Sequence, residues 1–319
     1  MKLNKYSIAA MLAIVSVLGL AAAPMTAVAA QPIVDLQTAK PFAILAGTPN
    51  ITDAGNASVI TGNVGLSPAT GAGIGLLCSQ VTGTIYSVDA AGPLPCRVTN
   101  GPLMVTAKND LTAAFIDAAG RTPITTVPTE LGGTTKTAGV YDSNSTTFQI
   151  TAGAGPLVID GQGDPDAVFI FEMGASGTGL TVGPGSTVSL INGASACNIF
   201  WKVDTASINT TAVFRGNILA LNSITVANGA NILGRLLARN GDVTLINDTV
   251  TVPSTCATFT ASTVVPALPN TGGGPSQTGT PWTLIVLVGI LATTLGLGTK
   301  YVVLPELARR SSGAPSKRK

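Results

Sequence analysis

Apolar and polar residues alternate in short runs from Ile199 to Pro253. Written in register, this stretch divides into blocks of 19, 18 and 18 residues, IFWKVDTASINTTAVFRGN, ILALNSITVANGANILGR and LLARNGDVTLINDTVTVP, and each block opens on two bulky apolar residues. A period of two is typical of β-strands, and a repeat this short cannot bury its apolar side until another repeat stacks on it. The pattern therefore predicts a parallel β-solenoid.

The central strand of each block has one apolar residue between two polar ones. The three strands are Ser207-Ile208-Asn209, Ser223-Ile224-Thr225 and Asp242-Val243-Thr244. Because strand side chains alternate between faces, inward apolar residues leave the polar residues pointing outward on every rung. Neighbouring rungs of such a stack are about 4.7 to 4.9 Å apart. We therefore expect a flat, regular array of small polar groups on the outer face.

Further strands are predicted before and after an irregular region. The runs FAILAG and SVITGNVGLSP between residues 41 and 68 alternate like the repeats, and similar runs resume at Gly132. Residues 69–100 are irregular and rich in Gly and Pro. A stack of strands needs its open end covered, because exposed strand edges pair with other chains. We predict a cap over about residues 69–100.

The apolar period changes between residues 102 and 119, where apolar residues recur every three or four positions. This spacing is typical of an amphipathic helix. Pro102 suits the first turn, Gly120 suits the end and Pro123 prevents continuation. The sequence predicts one helix over about 102–119 that packs against the strands, because its polar side is not cationic as in a membrane-surface helix.

The amino-terminal residues 1–30 have the pattern of a secretory signal peptide. Lys2 and Lys5 precede an apolar run, and Ala27-Val28-Ala29 offers a small-residue cleavage site. We expect an exported domain over residues 31–257.

Composition excludes several classes of function. The chain of 319 residues has a net charge of +2, with many of its basic residues at the carboxyl end, so nucleic acid is not an expected partner. It has no His, which removes the commonest general base and most zinc sites. We expect no catalytic residue, no metal and no cofactor.

Four Cys residues in an exported chain favour disulfides. Cys78 and Cys96 lie 18 residues apart, and a bridge between them would constrain the unfolded chain by about 3 kcal/mol. A second bridge between Cys197 and Cys256 requires the chain to return along the stack after Pro253, and the sequence leaves it open.

Several segments together resemble the microbial ice-binding (antifreeze) protein family. These are FAILAG, the helix end AAGRTP, and GQGDPDAVFIF, INGASACNIFW, FRGNILALNSITVANGA and GRLLARNGDVTL, in the family's order between residues 41 and 253. The resemblance implies an all-β fold, an irregular triangular β-solenoid with one long α-helix packed alongside and a capping subdomain. It also implies that the partner is the surface of an ice crystal. We expect the exported domain to be a monomer.

The resemblance places the ice-binding residues on the outward positions of one solenoid face. Carried over by position, the candidates are Thr181, Ser207, Asn209, Ser223, Thr225 and Thr244, with Gly179 and Asp242 beside them. Asp242 departs from the Thr-rich pattern of the family. A carboxylate holds its hydration water strongly, which favours moderate activity or a different face.

The carboxyl end resembles a cell-wall sorting signal. Leu268-Pro269-Asn270-Thr271-Gly272 lies in a linker over 258–280, an apolar segment follows over 281–304, and a basic tail occupies 305–319. The resemblance implies that a sortase cleaves after Thr271 and joins the protein to the cell wall. Permanent anchoring by the apolar segment is the alternative, and either arrangement predicts an extracellular, surface-bound protein.

Two other interpretations stay open from the sequence. A solenoid with Thr, Ser and Asn on its face could be an adhesin or a glycan-binding structural module, because fold does not fix function. A polysaccharide-cleaving β-helix enzyme would need acids such as Asp160, Asp164, Asp166 and Glu172, which could also bind calcium. We favour a turn followed by a buried strand for this acidic segment.

Overall fold

The computed structural model describes residues 30–173 and 179–254, and this part of the chain is mainly β-structure. In chain order the strands are β1 (Phe42–Ala46), β2 (Ile51–Asp53), β3 (Val59–Thr61), β4 (Asn63–Leu66), β5 (Ile74–Gly75), β6 (Val81–Thr82), β7 (Ile85–Ser87), β8 (Arg97–Thr99), β9 (Ile124–Val127), β10 (Thr135–Lys136), β11 (Gly139–Ser143), β12 (Thr147–Ile150), β13 (Leu157–Asp160), β14 (Phe169–Glu172), β15 (Gly179–Val182), β16 (Val188–Ile191), β17 (Ile199–Val203), β18 (Thr205–Ile208), β19 (Val213–Ala220), β20 (Ile224–Val226), β21 (Asn231–Ala238), β22 (Val243–Leu245) and β23 (Thr249–Thr251). Within the same residues one α-helix, α1, spans Gly101–Ala119. Short 3-10 turns lie at Gln37–Ala39, Gly71–Gly73, Cys78–Gln80, Ala152–Ala154 and Ala196–Asn198.

The strands form a 13-stranded, a 7-stranded and a 3-stranded sheet, and the strands pair in parallel. The chain visits the three sheets in turn. For example, β14 joins the first, β15 the second and β16 the third, before β17 returns to the first. We call one such circuit a coil.

The stacked coils have three sides. The long strands β19 and β21 bend at a corner, so that their first halves lie on one side and their second halves on the next. A bridge between Thr187 and Val213 connects the third sheet to the beginning of β19. The third side of the stack therefore continues from β10, β13 and β16 through the first halves of β19 and β21 to β23, β3 and β6. The first side contains the other strands of the 13-stranded sheet, and the second side is the 7-stranded sheet.

The amino-terminal strands extend the stack beyond the last carboxyl-terminal coil. Strand β1 pairs with β21, β2 with β22 and β3 with β23. The chain then reaches β8 at one end of the first sheet, and β9, which follows α1 in sequence, lies at the other end. Helix α1 thus connects the two ends of the stack.

Aromatic side chains fill part of the space between the three sides. Phe171 and Trp201 stack with their ring centroids 4.1 Å apart, and Phe148 meets both rings edge-on. Phe214 contacts Trp201 on the next coil. All four side chains are fully buried, so successive coils adhere through their inward residues.

Helix α1 packs on the outer surface of the first side, as the sequence predicts. Its apolar residues, including Met104, Leu111 and Phe115, form one cluster with Phe200 and Leu219 of that sheet. The side chain of Asn100 accepts a hydrogen bond from the N–H of Leu103 and begins the helix. The helix therefore covers apolar groups on one side and leaves the second side to solvent.

The predicted cap contains regular strands. Residues 69–100 include β5 to β8, and β8 is the last strand at that end of the first sheet. The predicted disulfide between Cys78 and Cys96 is present. Cys197 is also disulfide-bonded, whereas Cys256 lies outside the described residues.

The register of the first repeat differs from our alignment of the sequence blocks. We aligned Ser207 with Ser223, but Ser207 pairs with Thr225, and Ala206 pairs with Ile224. The displacement is two residues, which equals the period of a strand, so Ile208 still points inward. The predicted faces were correct and so was the pairing of Thr225 with Thr244, whereas the predicted pairing of the first repeat with the second was wrong.

The predictions for the two ends of the chain stay predictions. The signal peptide up to residue 29, the LPNTG motif, the apolar segment 281–304 and the basic tail lie outside the described residues. Within the described ranges, none of the helices has the length and apolar character needed to cross a bilayer.

Glycines make the corner between the third and first sides. Gly216 and Gly234 pair across β19 and β21 with φ of +117° and +150°. A Cβ on Gly234 would lie 1.8 Å from the carbonyl oxygen of Gly216. Since that oxygen belongs to the backbone, the strands would have to separate to admit a methyl group.

We expect Gly234→Ala to lower the free energy of unfolding by about 3 kcal/mol or more, because it adds both a clash and an unfavourable φ. Gly153→Ala is the matched control, since a Cβ there meets no atom within 4 Å, and it should change stability by less than about 0.5 kcal/mol. Chemical denaturation followed by circular dichroism measures both. Equal stabilities of the two variants would contradict the proposed corner constraint.

Candidate functional site

The outer surface of the second side carries a continuous row of outward residues, one from each strand. Pairing joins Gln149 to Thr181, Thr181 to Ser207 and Ser207 to Thr225, and the row continues through Thr244 and Thr52 to Gly75. We call these seven residues the central ladder. Their neighbours along each strand point inward, so the ladder rests directly on the core.

A second row borders the central ladder on the side where the strands begin. Thr147, Gly179 and Thr205 pair in register. The row continues with Ser223, Asp242 and Asn50, whose carbonyl oxygens accept hydrogen bonds from the strand residues of the neighbouring coils. We call this row the flanking ladder, and Asp242 is the one charged residue in it.

The structure places the predicted residues at three kinds of position. Thr181, Ser207, Thr225 and Thr244 lie in the central ladder, and Ser223 lies in the flanking ladder. Asn209 lies just beyond β18, and its side-chain amide donates to the carbonyl oxygen of Val182 at 2.8 Å. That side chain closes a corner between coils.

Sequence reasoning missed Thr52, Gln149, Gly75, Thr147 and Thr205. Thr52 is the most informative omission, because it stands between Thr244 and Gly75 although its strand is almost 200 residues from β22 in sequence. The alternation Ile51-Thr52-Asp53 is a signal for a strand, but it does not identify the neighbour. Only the pairing of the amino-terminal and carboxyl-terminal coils completes the row.

The central ladder is uncharged and solvent-accessible. Gln149, Thr181 and Thr225 are exposed, and Ser207, Thr244 and Thr52 are partly exposed. Ile224 and Val226, which flank Thr225, are fully buried. Buried neighbours on both sides fix the backbone of each rung, so a hydroxyl group recurs at the strand spacing of about 4.8 Å on the five rungs from Thr181 to Thr52, and four of these five side chains also carry a methyl group.

Two buried carboxylates hold the coils together next to this surface. Asp53 accepts hydrogen bonds from the N–H groups of Ser58 (2.9 Å) and Asn247 (3.1 Å) and from the Gln80 amide. Asp248 accepts from the N–H groups of Ala230 and Ile246, both at 2.8 Å, and its own N–H donates to the Ser58 hydroxyl. These bonds join four successive coils.

The two carboxylates have opposite pKa shifts. Burial by itself raises the pKa of Asp53, but the N–H groups of Ser58 and Asn247 and the Gln80 amide together hold it below its usual value. Burial raises the pKa of Asp248 to about 6 in spite of its N–H donors, and the nearby Asp53 adds to the increase.

Three of the four acids considered for catalysis or calcium binding have structural contacts. The Asp160 carboxylate accepts from the N–H of Gln162 and from the Asn192 side chain, and Asp164 accepts from the N–H of Asp166. Glu172 pairs with Lys202 in the first sheet and is buried there. Among the described residues no group of three or more Cys, Asp or Glu side chains could hold a metal ion.

Comparison with known proteins finds a matching family model and similar chains. A family model described as Ice-binding-like matches residues 44–251. An ice-binding protein of Flavobacterium frigoris (strain PS1) is 40% identical over 225 residues, which cover 69% of this chain and 77% of that protein. One from Colwellia sp is 39% identical over 225 residues, covering 69% and 84%. The crystal structure of an ice-binding protein from an Antarctic biological consortium superposes with a TM-score of 0.61 at 37% identity and covers 71% of this chain and 94% of that one.

We expect Asp248→Asn to change the pH dependence of stability. The folded protein holds the Asp248 proton more tightly than the unfolded chain, so raising the pH from about 4 to about 6 lowers the stability of the original protein through this group. The variant cannot titrate there. The difference in free energy of unfolding, original minus variant, should therefore decrease by about 2 kcal/mol between pH 4 and pH 7.

Asp53→Asn is the comparison variant, because the lowered pKa of Asp53 stabilises the fold above its usual pKa and this stabilisation is lost as the pH falls through its folded pKa. The difference in free energy of unfolding, original minus Asp53→Asn, should therefore increase as the pH rises, and this change should occur at a lower pH than the change for Asp248→Asn. Urea denaturation at several pH values measures both, and a difference for Asp248→Asn that stays constant from pH 4 to pH 7 would refute the shift.

Proposed function

We propose that this chain, which belongs to the ice-binding-like family, binds ice through the central and flanking ladders of its second side. The observation that carries this proposal is the register of the central ladder, in which Thr225, Thr244 and Thr52 follow one another on three adjacent coils. A crystal surface is periodic and flat, so the protein surface that binds it must have a regular repeat and must stay rigid. Stacked parallel strands supply both properties.

The proposed mechanism is adsorption without covalent chemistry. Each Thr presents a methyl group, which is weakly hydrated, and a hydroxyl group, which can donate and accept hydrogen bonds. Water over such an array can adopt an ordered layer that matches the crystal, because no strong charge orients it otherwise. The buried residues beneath the ladder keep the array from rearranging as the layer forms.

Asp242 limits the flanking ladder under this proposal. Its carboxylate is partly exposed between Ser223 and Asn50, and an ionised group keeps a strong hydration shell. We expect ice to contact the central ladder closely and the flanking ladder less well at this coil. We therefore expect moderate rather than maximal ice-binding activity.

We describe the three-sided stack as an irregular β-solenoid of triangular cross-section with a helix along its first side. Family membership supports a binding protein rather than an enzyme. A glycan-binding or adhesive module without ice activity is the alternative function, and measurements with ice decide between them.

The proposed location is the cell surface, with residues 1–30 as the export signal. The LPNTG motif, the apolar segment 281–304 and the basic tail support attachment through the carboxyl end, by a sortase or as a permanent membrane anchor. A surface-bound ice-binding protein could hold cells on ice or restrain the growth and recrystallisation of ice around them.

We expect Thr225→Tyr to remove most of the thermal hysteresis of the purified protein and to leave its melting temperature nearly unchanged. The phenol ring interrupts a flat row, whereas a side chain that points to solvent contributes little to stability. Thr106→Tyr is the control, because Thr106 is exposed on α1 and its hydroxyl bonds only within the helix. Full hysteresis in a folded Thr225→Tyr variant would reject the second side as the ice-contacting surface.

We expect Thr271→Ala to move the protein from the cell wall to the membrane fraction in a host with a sortase, because the transpeptidase could no longer form its acyl intermediate at Thr271. Cell fractionation with immunoblotting measures this. Ser276→Ala, outside the motif, is the control. Wall attachment that persists in Thr271→Ala would show that the motif is not used.

A further inference from the structure

The third side carries a second array of Thr and Val residues, away from the central ladder. Thr249 pairs with Val59 across β23 and β3, and these residues form one column. Two positions further along the same strands, Thr251 pairs with Thr61 and Thr61 pairs with Thr82 of β6, which forms a second column. We call these five residues the third-side array.

The side chains of this array are available to solvent. Thr61 and Thr82 are exposed, Thr249 and Thr251 are partly exposed, and Val59 is 54% exposed. Val250 and Ile60, which separate the two columns, are fully buried. The array therefore lies flat on the core, as the central ladder does, and it has two columns of β-branched residues.

Charged side chains are confined to the other part of the third side. Along the second column, Thr251 pairs with Leu233 and Leu233 pairs with Arg215. Asp160 ends β13 further along the same side. The five residues of the array carry no charge, so water over them is not bound by an ion.

The third-side array and the central ladder share their coils. Strands β22 and β23 belong to one coil and β2 and β3 to the next, so Thr244 and Thr52 stand on the second side of the same coils that carry Thr249 and Val59 on the third. The buried Asp53 and Asp248 lie at the turn between the two sides. Their hydrogen bonds with Ser58 and Asn247 fix the angle between the two arrays.

We propose that the third-side array is a second ice-contacting surface, which adsorbs to crystal planes other than those bound by the central ladder. This inference rests on the proposed function. The occupant is ice because the array repeats the features that suit the central ladder to ice: strand-spaced hydroxyl and methyl groups, no charge, and a buried support. Two such surfaces at a fixed angle let one molecule bind a crystal in two orientations.

The experiment labels the purified full-length chain with a fluorophore and maps the planes that it covers on a single-crystal ice hemisphere. The variants are Thr61→Tyr on the third side, Thr225→Tyr on the second side, and both together, with Thr106→Tyr on α1 as the control. Circular dichroism melts verify that each variant is folded. Thr82→Tyr replaces Thr61→Tyr if the latter melts at a lower temperature.

We expect the original protein and Thr106→Tyr to label two sets of planes. Thr61→Tyr should lose one set, Thr225→Tyr should lose the other, and the double variant should label none. If Thr61→Tyr and Thr82→Tyr label the same planes as the original protein, the third-side array does not bind ice and only this inference fails.

Two further results are also decisive. An original protein that labels no plane overturns the proposed function together with this inference. A Thr61→Tyr variant that labels every plane but changes the oligomeric state in analytical ultracentrifugation would show that the array is a contact between copies of the chain, which overturns this inference and leaves the proposed function intact.

Discussion

The pairing of the amino-terminal coil with the carboxyl-terminal coil is the interaction on which the rest of the structure depends. A parallel strand in the interior of a sheet needs a partner on both sides, and β1, β2 and β3 supply partners to β21, β22 and β23. Two hydrogen bonds fix the turn beside them across the same boundary, because the Asp53 carboxylate accepts from the N–H of Asn247 and the N–H of Asp248 donates to the Ser58 hydroxyl. Without this junction, Thr244 would not have Thr52 as its neighbour, and both arrays would be divided.

This junction also explains how far the sequence could predict the site. The repeats between residues 199 and 253 predict strands and faces, because alternation depends only on local order, and the helix follows from its own period. The neighbour of the last repeat is a strand almost 200 residues away, which no local pattern identifies. Thr181, Ser207, Thr225 and Thr244 could therefore be predicted, whereas Thr52 required the pairing.

The two-residue error at β18 shows which property of a strand is robust. A displacement by two residues retains every inward residue, since Ile208 is buried in either register. It does change which side chains stand next to each other, and a surface that matches a crystal depends on those neighbours. The hydrophobic pattern therefore identifies the inward and outward faces of such a strand, whereas its register is needed to identify the neighbours of each outward side chain.

Inward and outward side chains of the same strands contribute to different properties, the former to stability and the latter to the proposed binding of ice. The inward residues, the corner glycines and the buried carboxylates determine whether the coils stack, and the outward Thr residues contribute little to that. An outward position can therefore change without unfolding the chain, which allows Asp242 to persist beside the central ladder and Arg215 on the third side. Because an ionised side chain orders water around itself, Asp242 interrupts the flanking ladder, whereas the central ladder beside it stays uncharged from Gln149 to Gly75. The same strands therefore carry a row that suits an ordered water layer and a neighbouring row that suits it less well.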